Sequence, residues 1–152
     1  MAATPQNRLS VDVKDRTFRS RAPKGQIGYA EGPTTQAGIS AEVDITGATV
    51  TVEIAANRRI RITGKGQITN DATAGAALGR IREGATELGR WYRDDLVGGG
   101  TSSNEMSVIL TPSAGTHTYK LTLQKNVGAG SVTYSAGSLN PGFILVEDIG
   151  AA

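Results

Sequence analysis

His117 is the single histidine of this 152-residue chain, so any Ser-His-Asp relay has to be built around it. It opens the stretch HTYKLTLQ, where Tyr119, Leu121 and Leu123 share its parity and fall with it on one face of a strand. A histidine at the mouth of a core face is the reading this spacing supports, and no G-x-S-x-G elbow accompanies it. Asp94 and Asp95 follow WYR, but neighbours on a strand point to opposite faces and calcium needs about six to eight oxygen ligands. They are expected to be solvated loop acids. The glycines at 64 and 66 and at 98, 99 and 100 lack the Lys-Ser/Thr and the following helix of a phosphate loop, and are read as turns. These residues yield no catalytic assignment, no cofactor site and no metal site.

Two stretches bear on binding. NRRIRITGKG, residues 57 to 66, packs four cations into ten positions. With a period of two, Arg59 and Arg61 take one face and Ile60 and Ile62 the other, which describes a half-buried strand with a wet face. Readers of single strands interleave cations with exposed aromatics, whereas here the interleaved residues are isoleucines, so specific nucleic-acid binding is not expected. In GRWYRDD, Trp91 and Tyr92 are adjacent, one directed inward and one outward. With Arg93 they form a candidate surface for a partner protein or a sugar, or a packing contact within an oligomer.

Composition narrows the classes. There is no cysteine, hence no disulfide and no thiolate metal site, and stability has to come from packing or association. No stretch approaches the roughly 20 apolar residues of a membrane span and no apolar signal region follows the start, so a soluble, non-secreted chain is expected. The net charge of +2 is unevenly spread. Residues 1–24 carry six cations against two acids, a balance of +4, and the rest carries ten against twelve, or −2. Basicity belongs to a tail, which disfavours a global nucleic-acid surface.

The elements that must position these residues read as strands. Residues 1–24 lack a long periodic run and are bracketed by Pro5 and Pro23, which suggests an extended N-terminal arm reaching up to roughly 80 Å. From residue 25 to 152, short β-rich runs alternate with glycine and threonine, and ten strands are predicted: 25–30, 39–45, 48–55, 58–64, 76–83, 86–92, 104–111, 117–124, 131–136 and 143–148. The faces assign readily: Val50, Val52 and Ile54; Met106, Val108 and Leu110; Tyr119, Leu121 and Leu123. TGKG, REGAT and TPSAGTH supply turns, and LVGGGTSSN reads as a mobile loop. GAALGRIREGATELGRWYRDD is the one helical competitor, but its internal glycines cost about 1 kcal/mol each relative to Ala, so a hairpin is preferred. The sum is an all-β sandwich or barrel behind an arm.

The LSVDVKDR arm together with NRRIRITGKG, IREGATELG, LTPSAGTHTYKLTLQ and the closing PGFILVEDIG resembles small minor tail proteins of phages that infect actinobacteria. The similarity covers most of the chain from about residue 25, and LTPSAGTHTYKL with FILVEDIG is its most specific part. What the resemblance implies is a jelly-roll domain of the tumour-necrosis-factor or complement-head kind, non-enzymatic and without cofactor, assembling as a homotrimer in the virion after synthesis in the host cytoplasm. It further implies docking on phage tail or capsid proteins. A capsid decoration protein, or a module at the tail tip that binds a receptor or host cell-wall glycan, shares the same fold. The arm residues expected to dock are Leu9, Val11, Val13 and Phe18 with Arg16, Arg19 and Arg21; Leu9, Val11 and Val13 share the parity that adding a strand to an open sheet edge requires.

Overall fold

The structure, a computed structural model, describes residues 22–70, 75–93 and 100–152, without the side chains of Tyr92 and Arg93. Ten strands run in order: β1 (Gly25–Gly32), β2 (Gln36–Ile39), β3 (Val43–Ile54), β4 (Arg58–Asn70), β5 (Gly75–Glu83), β6 (Thr86–Arg93), β7 (Thr101–Leu110), β8 (Gly115–Gly128), β9 (Val132–Ser135) and β10 (Gly142–Ala151). The segment GAALGRIREGATELGRWYR forms the β5–β6 hairpin, turning at Gly84 with φ 56°. That conformation suits glycine, and a helix would have had to carry several glycines in its interior.

Two sheets face each other. One has the order β3-β8-β5-β6. The other is built on β4, whose residues 58–65 pair with β10 and 67–70 with β9 on one edge, while β7 takes the opposite edge along residues 60–69. β1 and β2 complete this sheet outside β10 and β9. All pairings are antiparallel, and strands distant in sequence lie side by side, as in a jelly roll.

The alternation read from the sequence places the core. Val50, Val52 and Ile54 are buried from one sheet, Ile60, Ile62 and Ile144 from the other, and Tyr119, Leu121 and Leu123 close the centre. Three expectations change. The predicted strands 39–45 and 48–55 join as β3, with a register shift between Asp44 and Thr49, and β2 ends at Ile39. Residues 101–103 of the predicted loop open β7. Gly64 and Gly66, read as a turn, lie inside β4 and are buried. A Cβ at Gly64 would come 2.6 Å from Leu121 Cδ2, and one at Gly66 would come 3.3 Å from Tyr134 Cε2. Gly64 makes room for a side chain of the facing sheet and Gly66 for one from β9 of its own sheet, and neither bends the chain.

Candidate functional site

Each candidate side chain can now be placed. The arm residues Leu9, Val11, Val13, Arg16, Phe18, Arg19 and Arg21 lie outside the described residues, as do Asp94 and Asp95. Trp91 is the inward member of its pair. It stands opposite Gly79 on β5, where an added Cβ would sit 2.1 Å from its Cζ2, and it lines a small internal void with Ile45, Ile68 and Tyr134. Its indole Nε1 is buried without a hydrogen-bond partner among the described residues. Trp91 therefore packs against the core between the sheets, half-buried at the rim.

The basic stretch is divided by its parity. Arg61, on the wet face, pairs with Glu147 of β10 at 2.7 Å. Arg58 shares the parity of Ile60 and Ile62, points inward and is buried. It grips Asp148 with two nitrogens, Nε to Oδ2 at 2.8 Å and Nη2 to Oδ1 at 2.5 Å, and Nη2 also donates to the carbonyl of Ala22 at 2.6 Å. Asp148 accepts a further bond from the Gly150 amide. Burial opposes charge on Asp148, but the Arg58 fork and this amide outweigh it and hold its carboxyl below the usual range. The pair thus fastens the last residues before β1 to the end of the sandwich. A cleft of about 750 Å³ opens there, lined by Pro23, Asn57, Arg58 and the C-terminal residues 149–152. Sequence reasoning missed this clamp, although parity carried it: Asp148 falls in the row of Ile144 and Val146 just as Arg58 falls in that of Ile60 and Ile62.

His117 lies at the opposite end of β8 from its C-terminal turn, paired with Val52 of β3. Its Nδ1 is 2.6 Å from Glu83 Oε1 and its Nε2 is 3.0 Å from the Ser113 carbonyl, while the ring stacks on Tyr119. Both partners are acceptors, so the ring satisfies both only when it carries two protons. Burial disfavours that charge, but the Glu83 hydrogen bond, the Ser113 carbonyl and the charges of Glu83 and Glu53 prevail and raise its pKa. This is a local clamp on the β7–β8 loop.

The outer face of the four-stranded sheet holds an ion-pair network. Glu42 accepts from Arg82 at 2.5 and 2.8 Å and from the Thr122 hydroxyl, with Arg80 at 3.2 Å; Arg80 also reaches Glu87 at 2.8 Å. The Arg82 hydrogen bond, despite burial and aided by Thr122 and Arg80, lowers the Glu42 pKa to about 2. Lys120 pairs with Asp44. Here the charges answer one another across strands, with Arg80, Arg82 and Thr122 meeting on Glu42.

At the rim between β6 and β7 the sandwich is less well covered. The inward rows of β10 are buried, whereas Met106, Val108 and Leu110 of β7 are half-buried, as are Leu88 and Trp91 of β6. On the outer face of the same sheet, Tyr29 and Ile109 are 44% and 53% exposed, and Tyr29 packs against Phe143.

No known family matches the sequence, and no curated protein does. Solved structures match the fold. The Eiger TNF of S. frugiperda superposes with a TM-score of 0.54 at 11% identity, over 84% of this chain and 94% of that one. Murine APRIL at pH 5.0 gives 0.54 at 9%, over 82% and 99%. At such identities the likeness defines architecture alone. The chain is a TNF-like jelly-roll sandwich.

Proposed function

We propose that this protein is a structural component of a phage particle, a non-enzymatic minor tail protein that associates as a homotrimer and docks through its N-terminal arm. The observation that carries the reading is the Arg58–Asp148 clamp on the Ala22 carbonyl, which gives the basic arm a rigid point of departure from a self-contained sandwich. A chain built to transmit a docking contact needs such an anchorage, because an arm on a loose root loses the orientation of the body it holds. The arm's +4 balance suits an acidic groove on a tail or capsid protein. The resemblance of the sequence to actinobacteriophage tail proteins supplies the particle, and the jelly roll is in keeping with it.

The reading divides the chain into two tasks. Deleting residues 1–24 is expected to leave a soluble β-domain with an unchanged far-UV spectrum and to abolish incorporation into particles. Immunoblots of purified virions, separated into heads and tails, measure the second effect and locate the protein on one or the other. Full incorporation of the truncated chain would remove the arm from its role as the anchor.

A further inference from the structure

Among the described residues, four of the five strand edges left without a partner carry features that discourage pairing with another chain. β2 has four residues. β1 is broken by a register shift between Gln26 and Gly28, β3 by one between Asp44 and Thr49, and β6 carries an extra residue, Leu88, opposite the Ile81/Arg82 step. Bulges and short length are the usual protections of an edge. β7 has none of them. Its ten residues pair with β4 in ten consecutive registers without a shift, it contains no proline, lysine or arginine, and among the described residues it pairs with β4 alone. Its inward row, Met106, Val108 and Leu110, is left half-buried at the rim. A continuous edge with an incompletely covered apolar row is a template for one more strand.

We infer that β7 receives residues 9–15 of the arm of a second copy as an added antiparallel strand. The inference rests on the reading of the arm as a docking element and names its acceptor. The segment LSVDVKD has the matching pattern. With Lys14 set opposite Glu105, the single charge of β7, antiparallel pairing puts Val13 opposite Met106, Val11 opposite Val108 and Leu9 opposite Leu110. Three apolar side chains then extend the inward row, while Ser10, Asp12 and Lys14 join Ile109, Ser107 and Glu105 on the outer face. One register satisfies the apolar row and the charge together, and a slip of one residue turns every apolar side chain outward.

Chain direction selects a neighbour as the donor. The arm departs from Ala22 beside Arg58, at the Leu110 end of β7, since Ile60 pairs with Leu110. An arm folding straight back along its own β7 would run parallel to it, the less stable ladder. The arm of another copy can approach antiparallel, and its 21 residues before Ala22 are long enough to do so.

The absence of cysteine permits a direct test on the full-length chain. Asp12→Cys protein is mixed with a size-tagged Ser107→Cys protein and oxidised with copper–phenanthroline. A mixed disulfide dimer is expected from this pair, and at least tenfold less from Asp12→Cys with Thr49→Cys, which lies exposed on the opposite sheet. Val11→Asp with Val13→Asp in the Asp12→Cys chain is expected to reduce the yield to that background. Equal yields from both pairs, or none, would overturn the inference. So would a Ser107→Cys protein that dimerises with itself, which would make the edge a β7–β7 contact, or a chain bearing both cysteines that closes only on itself. The particle experiment is separate: a mixed dimer together with full incorporation of the truncated chain would uphold this contact and remove the arm as the particle anchor.

Discussion

Single side chains in this sandwich are set by what stands directly opposite them. His117 illustrates it: two acceptors, Glu83 and the Ser113 carbonyl, face its two nitrogens, an arrangement that favours the protonated ring. Its pKa is raised above the ordinary 6.5, so the folded state binds the proton more tightly than the unfolded one. The stabilisation is complete below the unfolded value and disappears as pH rises through the folded one. Thermal denaturation is therefore expected to show a melting temperature that declines as pH rises above the ordinary imidazole value of 6.5. His117→Gln should flatten that decline; an identical slope in the variant would show that another group is responsible. The sequence placed His117 on the core face through its parity with Tyr119, Leu121 and Leu123, and the structure agrees. Glu83 and Ser113 were not legible as its partners, because they arrive from a different strand and a loop, 34 and 4 residues away, through pairing that no local pattern encodes.

Strands carry the same lesson in rows. The period of two located nine of the ten strands, with two predicted segments falling in β3 and β2 unread, and most of the core, because a half-buried sheet enforces that alternation wherever one face is apolar. It failed where glycine was taken as punctuation. Gly64 and Gly66 lie in buried positions of β4 beside Leu121 and Tyr134, and Gly79, within a strand the sequence did predict, is buried on β5 beside Trp91; only the neighbouring side chain explains each. Gly79→Ala is expected to cost about 1–3 kcal/mol, since the indole of Trp91 lies where the new methyl must go and the ring has little freedom to move away. Denaturant unfolding followed through this single tryptophan measures the loss, and a neutral substitution would refute the contact. The parity that was read correctly for Ile60 and Ile62 also implied an inward Arg58, and for Ile144 and Val146 an inward Asp148. A cation and an anion in core rows call for each other, and they meet between β4 and β10. Asp148→Ala should cost about 3–5 kcal/mol by leaving a buried guanidinium uncompensated, whereas Arg58→Met with Asp148→Leu should recover most of it. Equal losses in the single and double variants would mean that the clamp on Ala22, more than the burial of charge, is what matters.

Assembly follows from how the surfaces are distributed over the molecule. The four-stranded sheet presents paired charges outward, Glu42 with Arg80 and Arg82 and Asp44 with Lys120, a face suited to solvent. The six-stranded sheet presents Tyr29, Phe143 and Ile109, and beside them the unprotected edge of β7. Part of the exposed apolar surface, Tyr29 and Ile109, thus lies on the sheet that carries the open edge, while Val127 is exposed on the other sheet and Leu139 between β9 and β10. An arm entering the edge of another copy joins two unlike surfaces, and a contact of that type generates either a closed ring or an open filament. Three copies close the smallest ring beyond a reciprocal pair, which is the assembly proposed for this protein. Light scattering on the full-length chain at high micromolar concentration is expected to give three times the chain mass. Ile109→Asp, exposed and free of core packing, should shift that population towards monomer without altering the far-UV spectrum. A full-length chain that remains monomeric would exclude the trimer, and a reciprocal dimer would retain the arm-to-edge contact while changing the symmetry it builds.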